Sequence, residues 1–203
     1  MNAIDRFDAD VDHLFDHLRG HAPVDRVMYS ASALGEFGLI WVMLGVLRGL
    51  RGDHHLRAAV RVGAAVGIES VVVNAGIKSL FRRRRPVTTV PRPYPLRIPL
   101  TSSFPSGHAT SAFMAATLLA DGDPALAPLY YTAATIVALS RIHVRIHHAS
   151  DVVGGIAIGL AVGRLARRIA PLEPPPVPGS ARTTRRRGPR RSGSRNAGRA
   201  RWR

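Results

Sequence analysis

Five predominantly apolar segments constrain the fold of this 203-residue chain more than any other feature. They lie near residues 27–47, 58–77, 105–120, 124–140 and 152–170. Each is close to the ~20 mostly apolar residues that a helix needs to cross a hydrocarbon layer of ~30 Å. Glu36, Glu69 and several arginines interrupt them, so a soluble helical bundle is the alternative. The pattern predicts an all-α fold, a polytopic membrane helix bundle of about five transmembrane helices.

Glycines spaced four residues apart support the membrane interpretation. They are Gly63 and Gly67 in the second segment and Gly155, Gly159 and Gly163 in the last. Small residues let helix backbones approach closely in lipid, where there is no hydrophobic drive for helices to associate. Soluble bundles contain such spacings too, so we expect close helix contacts at both places without treating them as decisive.

Composition divides the chain into three parts. Residues 1–26 carry apolar side chains at helical spacing and aspartates on the other faces, which predicts an amphipathic helix at the membrane interface rather than one packed on a soluble core. Residues 27–170 form the predicted membrane domain. Residues 171–203 are rich in Pro, Gly, Ser and Arg and have almost no apolar side chains, which predicts a disordered, basic cytoplasmic tail.

The formal net charge of +16 is unevenly distributed. Such a charge implies a polyanionic partner, which can be nucleic acid, an anionic membrane surface or a phosphorylated substrate. Seven arginines flank the first connection or lie at the end of the last segment: Arg48, Arg51, Arg57, Arg61, Arg164, Arg167 and Arg168. By the positive-inside rule, the first connection and the end of the last segment are therefore expected on the cytoplasmic side. The basic connection 78–104 then faces outward against the positive-inside preference, and phosphate binding would supply a reason.

A first cluster of candidate functional residues begins at Lys78, the only lysine of the chain. Lys78 and Arg85 are seven residues apart, so on a helix they share a face two turns apart. An ammonium and a guanidinium can together bind and orient one tetrahedral anion. The alternative is a positively charged helix end without a specific ligand.

A second cluster is the run Phe104-Pro105-Ser106-Gly107-His108 before an apolar segment. A glycine-containing turn at a helix start exposes backbone N–H groups, which favour a phosphate oxygen. His108 would lie beside that anion and could protonate a leaving oxygen as a general acid. The alternative is a turn in which Ser106 only caps the helix.

A third cluster comprises Arg141, His147 and Asp151. His147 and Asp151 are four residues apart, so one helical turn can place the carboxylate against the imidazole and leave the other ring nitrogen free to attack. His143 and His148 are competitors, and their spacing to Asp151 argues against both. The alternative is a structural His–Asp hydrogen bond.

Taken in order, the clusters read K-x6-R-P, P-S-G-H and S-R-x5-H-x3-D. This pattern resembles the type 2 phosphatidic acid phosphatase superfamily, which includes vanadium haloperoxidases. The resemblance implies that His147 is a nucleophile that becomes phosphorylated, that Asp151 orients it and that His108 is the general acid. It implies that Lys78, Arg85, Ser106, Gly107 and Arg141 bind the phosphate. No motif position departs from the pattern, although many members have one more span before the first cluster.

The resemblance and the residues together predict an integral membrane phosphatase, multi-pass in a bacterial plasma membrane, with its active site on the extracytoplasmic side. We expect it to hydrolyse a lipid phosphate or a polyprenyl (di)phosphate through a phosphohistidine, without a cofactor or a metal. Of thirteen acids only Asp151 belongs to the clusters, whereas two-metal hydrolysis needs several convergent carboxylates. The competing hypothesis is a non-enzymatic membrane anchor that presents its basic tail to anionic lipid or, less expected, nucleic acid. Haloperoxidation is disfavoured because those enzymes are soluble and larger.

Overall fold

The computed structural model describes residues 1–88 and 91–172, and within them it contains helices and no strands. The all-α prediction is confirmed. The seven α-helices are α1 (Ala3–Asp16), α2 (Ala22–Leu34), α3 (Leu39–Gly49), α4 (Asp53–Val71), α5 (Gly107–Gly122), α6 (Ala127–His143) and α7 (Ala149–Ile169).

Helix α5 is the central helix of the bundle, in contact with α3, α4, α6 and α7. Its side chains are buried on all faces, as the apolar run after His108 requires. Met114 and Leu118 are fully buried, and Trp41 of α3 and Val62 of α4 complete the same core. Because α5 begins at Gly107, this packing fixes the position of the second sequence cluster.

The glycines of α7 allow a close contact with α5. A Cβ atom at Gly155 would lie 2.6 Å from the carbonyl oxygen of Ser106, and one at Gly159 would overlap the backbone of Thr110. The predicted close approach is therefore confirmed for α7. It is wrong for Gly63 and Gly67, where an added Cβ would meet nothing within 4 Å, because that face of α4 does not point toward another helix.

Fewer of the described helices are long and apolar enough to span a membrane than the five apolar segments predict. Among the described residues, Pro124–His143 and Ala149–Ile169 are long and apolar enough to cross a membrane. The segment near 27–47 is not one straight helix, because α2 and α3 meet at an angle of 74° and would together make a third span. Gly38 stands at this bend with φ 68°, a conformation that favours glycine. Five spans therefore remain a prediction.

Helix α1 is amphipathic, as predicted, and it also packs against the bundle. Phe15 is buried beside α5, α6 and α7, whereas Ile4, Phe7 and Leu14 on the rest of the helix are exposed. The predicted domain boundary between residues 26 and 27 falls inside α2. The predicted tail 171–203 lies outside the described residues from position 173 onward.

Ion pairs close the bundle at the end of α5 that is farther from the sequence clusters. Arg48 donates to the carbonyl oxygen of Leu119, and Arg61 donates to that of Leu118 and pairs with Asp121 at 2.7 Å. Cations at a helix C-terminus satisfy free carbonyls and the negative end of the helix dipole. Helix α5 has 16 residues, about 24 Å, so this basic end is separated from Gly107 by most of a membrane thickness.

Candidate active site

The chain around Lys78 departs from the predicted regular helix. Helix α4 ends in a π-turn at Val72–Gly76, and Lys78 lies in a 3-10 turn at Ile77–Leu80. Residues 81–88 are not helical. The prediction that Lys78 and Arg85 share a helix face is therefore wrong, although the two cations still interact electrostatically.

The physical reason lies in the sequence that follows. Arg85 precedes Pro86, and the proline ring disfavours helical backbone at the residue before it. The segment 81–88 instead pairs with the loop before α5, where Ser103 donates its backbone N–H to the carbonyl oxygen of Arg83 at 2.9 Å. This pairing brings Arg83 and Arg85 toward the start of α7.

Arg85 is held by backbone carbonyls on three sides. Its guanidinium donates to the carbonyl oxygens of Pro99, Thr101 and Ile146 at 3.0 to 3.1 Å. The same Nη1 atom lies 3.2 Å from Nε2 of His147. A guanidinium can only donate, so Nε2 of His147 accepts and the ring proton belongs on Nδ1.

His147 lies in the turn between α6 and α7, and Asp151 lies in the first turn of α7. Nδ1 of His147 is 3.6 Å from Oδ2 of Asp151, slightly longer than a direct hydrogen bond. Burial lowers the pKa of His147 to about 3, and the interaction with Asp151 opposes that shift. The imidazole is therefore neutral near pH 7, with its Nε2 lone pair directed toward Arg85.

Asp151 is fully buried, and its carboxylate accepts three hydrogen bonds that fix its orientation. Oδ2 accepts from the hydroxyl of Ser103 at 2.5 Å and from the backbone N–H of His148 at 2.9 Å. Oδ1 accepts from Nη1 of Arg83 at 2.6 Å. Sequence reasoning missed Arg83 and Ser103, because one of four consecutive arginines and one serine of a loop carry no spacing signal.

The turn before α5 presents the groups that the second cluster predicts. Ser106 is buried at the N-cap position, and its side chain makes no capping hydrogen bond. Its backbone N–H donates to the carbonyl oxygen of Asp151 at 3.0 Å, which ties this turn to the start of α7. Ser106 Oγ and His108 Nε2 have no hydrogen-bond partner among the described residues. The capping alternative is therefore not what the structure shows.

Arg141 is almost completely buried near the end of α6. Its Nη1 donates to the hydroxyl of Ser32 on α2, whereas Nε and Nη2 have no hydrogen-bond partner within the described part of the chain. Arg141 interacts electrostatically with Lys78, His108 and His147. Three cations and two imidazoles thus converge at one end of the bundle.

The two imidazoles line different cavities. His108 lines one of about 640 Å³ together with Lys78 and Gly107. His147 lines another of about 390 Å³ together with Arg83 and Asp8. Because Arg85 donates to Nε2 of His147, an anion that enters must take over that donor before the nitrogen can react.

The competing histidines have other partners. Nε2 of His143 lies 2.7 Å from Oδ1 of Asp25 on α2, and both side chains are buried. Nε2 of His148 faces the carbonyl oxygen of Arg84 at 3.3 Å. Neither ring pairs with the carboxylate of Asp151, as their spacing in the sequence indicates. The pairing of His143 with Asp25 is visible only in the fold.

A comparison with known proteins shows which family has this arrangement. Residues 58–173, more than half of the chain, match the PAP2 superfamily. The chain belongs to the PAP2 superfamily. All eight residues of the three clusters lie inside the matched region, whereas α1, α2 and α3 lie before it. The predicted resemblance is confirmed.

Relatives within the PAP2 superfamily are phosphatases. The chain is 34% identical over 147 residues to a decaprenylphosphoryl-5-phosphoribose phosphatase of Mycobacterium tuberculosis, covering 68% of this chain and 78% of that protein. It is 34% identical over 132 residues to the protein of the same name from Mycolicibacterium smegmatis, covering 64% and 71%.

Two solved structures share the fold. One is Aquifex aeolicus LpxE, with a TM-score of 0.64 and 25% identity over 79% of this chain and 94% of that one. The other is a transmembrane PAP2 type phosphatidylglycerolphosphate phosphatase of Bacillus subtilis, with a TM-score of 0.61 and 23% identity over 83% and 87%. The chain is thus a membrane lipid phosphatase, a hydrolase of phosphoric esters, with an all-α membrane fold.

Proposed function

We propose that this PAP2 phosphatase hydrolyses its lipid phosphate through a phosphohistidine on His147, without a metal ion. One observation carries the proposal. Nε2 of His147 is an unprotonated acceptor beside Arg85, while Nδ1 faces Asp151. This is the tautomer that attack on phosphorus requires, and the carboxylate stabilises the imidazolium character that develops during attack.

In the first step Nε2 of His147 attacks phosphorus, a P–N bond forms and the P–O bond to the lipid breaks. The leaving oxygen takes the Nε2 proton of His108, which enters the step as an imidazolium stabilised by the bound phosphate anion. Nε2 of His108 has no hydrogen-bond partner among the described residues. In the second step water attacks the phosphohistidine, His108 accepts a proton of that water, and inorganic phosphate leaves as the P–N bond breaks. The two steps together return the site to its starting protonation state.

Three cations provide the electrostatic stabilisation that metal ions supply in other phosphatases. Lys78 and Arg141 are buried, and Arg85 is fixed by carbonyls of the surrounding loops. Negative charge on the equatorial oxygens of the transition state would be stabilised by these groups, Ser106 Oγ and the backbone N–H groups at the start of α5. Asp151, the carboxylate next to the proposed nucleophile, is already engaged by Arg83 and Ser103.

For the substrate we propose a polyprenylphosphoryl sugar that carries a terminal phosphomonoester. The support is the name of the mycobacterial relatives, which act on a decaprenylphosphoryl phosphoribose. Other lipid phosphates, including polyprenyl diphosphate and phosphatidic acid, are the comparison substrates. We propose that the site faces outward, because the arginine-rich end of the bundle at Arg48 and Arg61 fits the cytoplasmic side.

The test is phosphate release by detergent-purified protein in the presence of EDTA. We expect turnover of a polyprenylphosphoryl sugar phosphate to exceed that of the comparison lipids, inhibition by vanadate, and acid-labile phosphate bound to the enzyme after rapid quenching. His147→Ala should lack both turnover and bound phosphate, whereas His148→Ala, the adjacent histidine, should retain both. Full turnover in the His147 variant, or activity that EDTA abolishes and Mg²⁺ restores, would contradict the proposal.

A further inference from the structure

Helix α1 delivers a carboxylate to the active site through Arg83. We propose that Asp8 is a positioning residue of this phosphatase, holding Arg83 so that Arg83 orients Asp151 against His147. The inference rests on the proposed function, because it assigns the role of Asp151 to orienting the nucleophile. It makes α1, which lies before the PAP2 match, a part of the catalytic apparatus rather than only an interfacial helix.

Arg83 bridges two carboxylates that are far apart in the sequence. Nη1 donates to Oδ1 of Asp151 at 2.6 Å, and Nη2 donates to Oδ2 of Asp8 at 2.5 Å. Nη1 also donates to the hydroxyl of Ser150 at 2.7 Å. A planar guanidinium with its two terminal nitrogens bound in this way cannot rotate without breaking a charged hydrogen bond.

Asp8 is in turn fixed by the start of α7. Oδ1 accepts the backbone N–H of Ser150 at 2.8 Å, and Oδ2 accepts its hydroxyl at 2.9 Å. An acid at a helix N-terminus satisfies a free N–H group and the positive end of the helix dipole. Asp8 is only 7% exposed, so its charge depends on these donors for stabilisation. Asp8, Arg83 and Ser150 therefore form a closed network around Asp151.

The amphipathic pattern of α1 explains how a surface helix can do this. Phe15 anchors the helix in the bundle, and Asp8, two turns earlier, lies on the inward side. Ile4 and Phe7 remain exposed, available to a membrane surface. The cavity lined by His147 is also lined by Asp8, so α1 forms one wall of the space beside the nucleophile.

A matched pair of variants on the same helix tests the role. Asp8→Asn removes the carboxylate charge from Arg83, and Asp10→Asn removes the same charge from an exposed position. We expect Asp8→Asn to lower kcat about tenfold or more, because Arg83 is no longer held by Asp8 and orients Asp151 less firmly. KM should stay within about twofold of the wild type, because the phosphate-binding groups remain. The Asp10 variant should match the wild type, and Asp8→Glu should recover part of kcat.

Two outcomes would overturn the inference. One is a kcat of Asp8→Asn within twofold of Asp10→Asn. The other is a parallel loss of thermal stability and a rise in KM, which would indicate a merely structural contact. If Asp8→Asn does not fold, Arg83→Lys decides, since an ammonium cannot span both carboxylates: kcat should fall, and an unchanged kcat would refute the role. Wild-type enzyme without turnover, or an active His147→Ala, would instead refute the proposed function.

Discussion

Alanine at Gly155 should slow catalysis from a position that touches no substrate. A Cβ at Gly155 would lie 2.6 Å from the carbonyl oxygen of Ser106 and 3.0 Å from Cβ of Ala109, whereas ordinary contacts begin at 3.4 Å. The neighbouring backbone must therefore move by about 0.8 Å. The atom that must move belongs to the turn that carries Ser106 and precedes His108.

The expected loss follows from that displacement. A misplacement of about 1 Å in a catalytic group can cost roughly 100-fold in rate, so we expect kcat of Gly155→Ala to fall between about 10-fold and 100-fold. Overpacking should also cost about 1–3 kcal/mol of stability, partly offset by the ~1 kcal/mol that alanine gains over glycine in a helix.

Gly63→Ala is the matched control for this prediction. The substitution is the same, it also lies in a helix of the bundle, and the added Cβ would meet nothing within 4 Å. Phosphate release and thermal unfolding of both variants should be measured in the same detergent. If Gly155→Ala turns over as fast as Gly63→Ala, the contact between α7 and the phosphate-binding turn does not position the site, and the reasoning is refuted.

Three further predictions follow from single contacts. Burial lowers the pKa of His147 to about 3, so between pH 3 and about 6.5 the unfolded chain binds a proton at this imidazole more readily than the folded chain does. The free energy of unfolding should therefore fall as pH drops through that window. His147→Gln should flatten the dependence of the unfolding temperature on pH. Asp25→Asn should cost about 1–3 kcal/mol of stability through its lost charged hydrogen bond to His143, with kcat nearly unchanged in a turnover assay. Arg141→Lys should lower kcat/KM about 100-fold, because one ammonium cannot replace the guanidinium donors; activity within threefold of the wild type would contradict it.

Several features could be predicted because they depend on local spacing. The four-residue interval between His147 and Asp151 places ring and carboxylate together whether the intervening residues are a full helical turn or, as observed, a turn leading into α7. The apolar run after His108 becomes the central helix, so the position of Gly107 at its start follows from the sequence. The family could be identified for the same reason, since its motifs are short and local.

The path of the chain between the clusters could not be predicted in the same way. The sequence predicts Lys78 and Arg85 on one helix face, yet Pro86 and the pairing of Arg83 with Ser103 extend the segment. The glycine pairs in α4 and α7 have the same spacing, and only the packing of neighbouring helices makes one a contact and leaves the other open.

What the sequence determined by itself is the composition of the reaction centre: two imidazoles, a carboxylate and three cations on short motifs next to apolar helices. What only the tertiary structure decided is their support, namely Arg83 and Asp8 behind Asp151, Ser32 against Arg141, and Asp25 with His143. Within each motif the functional residues lie a few positions apart, so their spacing in the sequence is enough to indicate the chemistry. Supporting residues are chosen by contacts between α1, α2 and the ends of α6 and α7, and no local spacing encodes those contacts.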